Sequence, residues 1–440
     1  MESFGQWLDQ QYRRAASAML ASISPLEIVK TRPGFGQTVR PSKGAIVASP
    51  VLAAYDPDPD YFFHWYRDSA VVIDALRLLF EDGSVGTEAL GHLGDFVCFS
   101  RSLEQLDGRL LVAMPSWRTR VAPDFTKFLR TEADLGSVHG EAVVAETRVN
   151  PDATLDISSW PRPQHDGPAL RALALLRWAR SASFAAELSS ELSALIRSDL
   201  AFTVRHWREP SFDIWEEEKG LHYYTLCVAA AALEEGANWM ELTDDRQAAL
   251  RVRPEVDAIR RTLDGFWLPE AGHYRSRVLT SDARSTKELD IAVILAAIHA
   301  GLSGAHSAQD PRMQASLARL ESLFDAAYPI NRNRSTQTAP AMGRYAGDAY
   351  YSGGAYYFST LGAAEFCFRA AVGSDDARGW VKHGDAFLAT VRAFTPPSGE
   401  MSEQFDQRTG AQTSARHLAW SYASFISCVA ARRAAGGASQ

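Results

Sequence analysis

Little in this sequence suits a charged polymer or a bilayer. Its 45 Lys and Arg are outnumbered by 53 Asp and Glu, giving a net charge of −8 with no basic stripe. That argues against nucleic acid and anionic membranes as main partners. No apolar run reaches the ~18 residues of a transmembrane helix. Met1 to Ile23 mixes Asp9, Arg13 and Arg14 with apolar residues and lacks the basic start, apolar core and cleavage site of a signal peptide. The four cysteines, Cys98, Cys227, Cys367 and Cys428, form no CxxC pair. Each lies in an apolar, helix-like run, so four buried, reduced thiols are expected. Thiols of this kind and the missing leader point to the cytoplasm rather than secretion. HExxH, GxSxG, P-loop and calcium-loop patterns are absent, so no metal, nucleophile elbow, nucleotide or other cofactor is expected.

What is present is apolar and aromatic. Apolar residues make up 46%, enough for a large core. The 11 Trp, 14 Tyr and 21 Phe include flat faces suited to sugar rings, although most belong in a core. A length of 440 residues allows either several domains or one large barrel. Helical periodicity predicts helices near residues 4–22, 67–81, 87–105, 168–182, 184–205, 221–235, 245–263, 285–301, 311–327, 354–371, 376–394 and 412–433. Gly236 reads as a stop for the sixth of these. About twelve helices without a long linker fit a closed ring of helical hairpins, and also a solenoid. Residues 24–65, 106–165 and 328–353 interrupt the pattern, and loops of that length usually carry function.

Polar residues gather in these interruptions. Tyr61-Phe62-Phe63-His64-Trp65-Tyr66-Arg67-Asp68-Ser69 sets an Arg–Asp pair among aromatics at a helix start. Asp68 reads as a helix cap, or with Arg67 as a contact to vicinal sugar hydroxyls. Asp213-Ile214-Trp215-Glu216-Glu217-Glu218 reads as a solvated charge run. It also reads as a Glu kept protonated by a Trp and by its neighbouring carboxylates, which a glycosidase acid requires. Glu403, in Ser402-Glu403-Gln404, gains meaning only as its partner. Arg344 and Asp348 lie among Tyr345, Tyr350, Tyr351 and Tyr356, as sugar contacts or as a packed turn.

Taken in order with Trp160 to Pro168, Lys287 to His299 and Ser402 to Tyr422, these segments resemble the glucoamylase family, glycoside hydrolase family 15. The resemblance spans residues 40 to 430. It implies an all-α (α/α)6 barrel with long active-site loops, one catalytic domain over 1–440, and no room for a starch-binding module. It implies Glu216 as general acid and Glu403 as general base. Tyr61 and Gln404 match residues near the attacking water, and Arg67 and Asp68 match contacts to the terminal glucose. Trp65 and Trp160 match aromatics shaping the pocket, beside Trp215, with Trp160 also placed near the acid. Glu217 and Arg344 match sugar-binding positions at the cleavage point. The implied activity is that of an inverting exo-α-glucosidase, releasing β-D-glucose from α-glucans or short oligosaccharides.

Two departures stand out. His64 replaces a smaller Thr, and Ser352 to Tyr356 replaces a segment carrying Asn, Pro and Trp, with Tyr356 where that Trp would lie. The second leaves open a relative tuned to α-1,6 linkages or trehalose. A non-catalytic sugar-binding barrel is the reading from another class. Oligomeric state is not legible.

Overall fold

The computed structural model describes residues 2–437 apart from 55–56, 115, 182–183, 185 and 282–283. The end of one expected helix at 182, and residue 185 of the next, lie outside the described residues. Twelve long helices run α1 Phe4–Leu20, α2 Tyr66–Glu81, α3 Glu88–Leu103, α4 Asp166–Ser181, α5 Ala186–His206 and α6 Tyr223–Leu242. They continue with α7 Arg246–Asp264, α8 Ala292–Ala300, α9 Pro311–Ala327, α10 Tyr357–Ala371, α11 Ala377–Phe394 and α12 Ala419–Gly437.

Burial divides them into two kinds. Odd-numbered helices bury one stripe. In α7 the buried residues are Ala249, Val252, Val256, Ile259 and Leu263, the three-and-four spacing of an amphipathic helix. Even-numbered helices are buried on nearly every face; α8 buries every residue from Ala292 to Ile298. Such a helix needs partners on all sides. Each even helix packs against the next, and α12 returns to α2, closing an inner ring with the odd helices outside it. The chain ends complete the closure: α1 lies on α12, with Trp7 edge-on to Phe425 at 5.8 Å. This is the (α/α)6 barrel that the family resemblance implies, and ring closure rules out the solenoid that the helix count also allowed.

Helix starts differ in the same alternating way. Asp245, Asp310 and Asp376 cap α7, α9 and α11 with side-chain hydrogen bonds. The starts of α2, α6, α8 and α10 carry no side-chain cap bond. Short antiparallel pairings precede three of them instead. His64–Trp65 pairs with Arg148–Val149, Lys219–His222 with Ser211–Phe212 and Arg277–Leu279, and Ala355–Tyr356 with Gln404–Phe405. These pairings fix the loops that converge over the starts of the inner helices.

Some expectations need correction. Helix α6 runs through Gly236 to Leu242, because Gly236 is a packing site: a Cβ there would lie 2.5 Å from Leu200. The helices expected from 285 and 412 begin at Ala292 and Ala419, because the preceding residues fold over the barrel mouth. Cys98 is exposed, since α3 is an outer helix with a solvent face; Cys227, Cys367 and Cys428 are buried, and all four thiols are free.

Candidate active site

The loops at the inner-helix starts form a small cavity of about 50 Å³. Tyr61, Trp65, Arg67, Asp68, Trp215, Glu216, Arg344 and Glu403 line it, together with Phe358 and Trp420. The latter two stack at 4.5 Å and 9°, and Trp215 lies nearly parallel to both. Helix starts carry positive partial charge, so a mouth formed by them favours the carboxylates gathered there.

Glu216 reaches the cavity through a strained turn. Its φ is +63°, a left-handed conformation that costs a non-glycine residue about 1–3 kcal/mol. Asp213 holds this turn: its Oδ1 accepts the backbone N–H groups of Glu217 and Glu218 at 2.7 and 3.1 Å, and its Oδ2 pairs with Arg277 at 2.8 Å. The turn sends three consecutive side chains in different directions. Trp215 donates Nε1 to buried Asp290 at 2.9 Å. Glu217 meets Arg344 at 3.1 Å, Lys287 at 2.6 Å and the Tyr345 hydroxyl. Glu216 faces three donors: Trp65 Nε1 (2.9 Å) and Arg67 Nη2 (3.1 Å) on Oε1, and Trp160 Nε1 (2.6 Å) on Oε2.

This corrects one expectation in kind. The indoles against Glu216 are Trp65 and Trp160, not its neighbour Trp215. Glu217 and Glu218 do not press on it, because cations hold each of them: Arg344 and Lys287 the first, Arg277 the second. A carboxylate has about four lone-pair sites. Three of Glu216's face the N–H groups of Trp65, Arg67 and Trp160.

Glu403 is different. It is buried, and burial pushes its carboxyl up to about 7 against the opposing Ser414 hydrogen bond and the Arg344 charge. Ser414 Oγ donates to Oε2, and Tyr61 Oη reaches Oε1 at 3.4 Å. Tyr61 and Trp65, with ring centroids 5.2 Å apart, form the wall between the two carboxyl groups.

Arg67 ties the acid to its surroundings. Beyond Glu216, it pairs with Asp68 at 3.2 Å and lies 3.9 Å from Asp166. Asp68 makes no cap bond, and its Oδ2 has no hydrogen-bond partner, so a sugar hydroxyl is a fitting donor. Burial raises Asp68 to about 6 and Asp166 to about 7.

Four predicted contacts lie outside the lining: Trp160 and Glu217, which bond Glu216 and Arg344, and the pair Tyr356 and Gln404. Tyr356 and Gln404 are fully buried and face each other across paired strands. Gln404 Nε2 donates to the Tyr356 hydroxyl at 2.8 Å, which itself donates to Asp348 at 3.0 Å. Neither lines the cavity. They form a layer behind Arg344, which Asp348 grips with two bonds of 2.7 Å. Sequence reasoning missed Asp290 and Phe358, whose residue types and spacing carry no signal, and left Ser414 and Trp420 without roles; Asp348, read as a sugar contact or part of a packed turn, holds Arg344.

An (α/α)6 barrel with paired carboxyl groups in an aromatic pocket at the inner-helix starts defines a class, the glycoside hydrolases. The chain belongs to glycosyl hydrolases family 15, matching it over residues 28–89, 145–382 and 380–430. It is 27% identical to the Schizosaccharomyces pombe protein named "Probable glucoamylase", over 99% of this chain and 93% of that protein. It is 26% identical to glucoamylase 1 of Rhizopus oryzae, over 99% and 72%. The glucoamylase structure from Hypocrea jecorina superposes with a TM-score of 0.78 at 25% identity, covering 98% of this chain and 73% of that one. The fold of Saccharomycopsis fibuligera glucoamylase matches with a TM-score of 0.79 at 21% identity, over 99% and 96%.

Proposed function

We propose that the protein is an inverting exo-α-glucosidase of glucoamylase type, releasing β-D-glucose from non-reducing ends of α-glucans or short α-gluco-oligosaccharides. The observation that carries this reading is two carboxyl groups, Glu216 and Glu403, on one aromatic cavity of a family 15 barrel. Glu216, held in place by Trp65, Arg67 and Trp160 at the position that matches the family's proton donor, is the acid. Glu403, buried and oriented by Ser414, is the base.

In the reaction, Glu216 gives its proton to the glycosidic oxygen as the C1–O bond breaks. The departing sugar leaves as a neutral alcohol. A water attacks C1 from the opposite face, and Glu403 takes its proton, so the product is the β-anomer. Arg67 and Asp68 hold the terminal ring's hydroxyls. After the step Glu216 is left charged and Glu403 neutral; Glu403 releases its proton to solvent and Glu216 regains one before the next turnover.

The segment that raised a preference for α-1,6 bonds or trehalose lends it no support, since Tyr356 is buried behind Arg344. Two measurements test the proposal. NMR of the sugar first released from maltotriose is expected to show the β-anomer, and α-glucose overturns the mechanism. Glu216→Gln and Glu403→Gln are each expected to lower kcat by about 10²–10⁴-fold with the fold intact. Near-full activity in either removes that residue from its role.

A further inference from the structure

Strand pairing places Arg148 directly opposite Trp65. Arg148 is 2% exposed, and its guanidinium lies 3.7 Å from the ring centroid of Trp160, 4.8 Å from Trp65 and 4.0 Å from Phe63. Trp65 and Trp160 are the two indoles that donate to Glu216, one to each oxygen. The cation is anchored on its far side. Nε donates to Asp156 Oδ2 at 2.9 Å and Nη2 to Ser158 Oγ at 3.1 Å. Asp156 also takes Arg162 at 3.0 Å, which bonds Glu146 at 2.7 Å, and Arg130 holds Glu146 at 2.8 Å. Alternation along 155–158 builds this anchor: Leu155 and Ile157 enter apolar clusters, while Asp156 and Ser158 turn to the guanidinium.

We propose that Arg148 is a positioning residue for the proton donor, bracing and polarising the two indoles that hold Glu216. A cation over an indole face draws on the ring's electron density, and its N–H becomes a stronger donor. As Glu216 surrenders its proton it becomes a carboxylate, and both N–H bonds strengthen toward the transition state. The proposal rests on the acid role given to Glu216. Other charged groups face the same parts. Arg67 contacts Glu216 directly, with Asp68 and Asp166 behind it; Arg344, Glu403 and the Tyr61 hydroxyl share the cavity. Arg32, paired with Asp60, lies 3.8 Å from the Phe63 ring.

The test compares two substrates in Arg148→Met, which keeps most of the stem and removes the cation. Maltose needs a protonated leaving group, whereas α-D-glucosyl fluoride departs with little help from an acid. The variant is expected to lose about tenfold or more in kcat on maltose, a share of the general-acid contribution, and to stay within about threefold on the fluoride. KM is expected to hold, and the basic limb of kcat/KM to move to higher pH while the acidic limb stays, because only the acid's charged form has lost support. Arg148→Lys, charged but not planar, is expected to recover part of the loss. Equal losses on both substrates, or no loss in a folded protein, overturn the proposal. Should Arg148→Met not fold, Ser158→Ala loosens the same guanidinium, and a substrate split absent there overturns it equally. Glu216→Gln, assayed in parallel, separates the two ideas: if it keeps activity on maltose, the acid assignment itself falls.

Discussion

Ser414 donates its hydroxyl to Oε2 of Glu403, and strand register brings the two together. Gln404 pairs with Thr413, and the Glu403 N–H bonds the Ala415 carbonyl at 2.7 Å, so the neighbours Glu403 and Ser414 align. Like Glu216, Ser414 has a left-handed backbone, with φ of +64°. Strained residues thus stand at both carboxyl groups, held by the paired segments around them.

Removing that hydroxyl is expected to shift the pH profile in one direction. Burial pushes Glu403 up to about 7, and the Ser414 bond opposes it. Ser414→Ala leaves burial unopposed on that oxygen, so the carboxyl holds its proton to higher pH. A base must be ionised, so the acidic limb of kcat/KM is expected to move up by about one unit, equal to about 1.4 kcal/mol of lost preference for the charged form. Rate measurements across pH check this, with Ser414→Thr as the variant that keeps the donor. An unmoved limb refutes the assignment.

Tyr356 and Arg344 are expected to separate in substrate kinetics. Arg344 lines the cavity, while Tyr356 stands behind it, packed on Phe358 and bonded to Asp348 and Gln404. Tyr356→Phe removes a neutral hydroxyl bonded to Asp348 and Gln404, a loss of about 0.5–1.5 kcal/mol, so kcat/KM on maltose is expected to fall about tenfold or less. Arg344→Met breaks a bidentate pair with Asp348 and leaves Glu217 short of a cation, so the loss is expected to exceed about a hundredfold. A larger effect from Tyr356→Phe would place that ring against the sugar after all.

Asp166 gives a stability test with a definite sign. It is fully buried, and neither carboxyl oxygen has a hydrogen-bond partner. Burial raises it to about 7, above the roughly 4 of an unfolded chain. The folded state therefore binds more protons than the unfolded state between those values. Its contribution is present below about pH 4 and is lost as pH rises through 7. Asp166→Asn removes that loss, so its melting temperature relative to the parent is expected to rise from pH 5 to pH 8, by the equivalent of about 2–3 kcal/mol. A difference that stays flat across this range shows that Asp166 does not titrate there.

The sequence by itself determined which helices exist and which are inner. All-round burial is written as apolar runs such as Ala292 to Ile298, and outer helices as the stripe from Ala249 to Leu263. Arg67, Asp68, Glu216 and Glu403 were legible through the ordered family resemblance; by themselves the first three read equally as a helix cap and a charge run, and Glu403 carried no signal. Tertiary structure alone decided what each of them faces. Local order suggested that Trp215, Glu217 and Glu218 act on Glu216. The left-handed turn at Glu216 points all three elsewhere, and the indoles that do meet it come from residues 65 and 160. Gln404 and Tyr356 were drawn toward the sugar by their place in sequence, but cross-strand pairing puts them behind Arg344. Arg148 and Ser414 carry no local signal, because their roles exist only through register between segments distant in the chain. Helical periodicity records burial, a property of one residue and its nearest turns. Hydrogen-bond direction belongs to pairs, and those pairs form only when the ring closes.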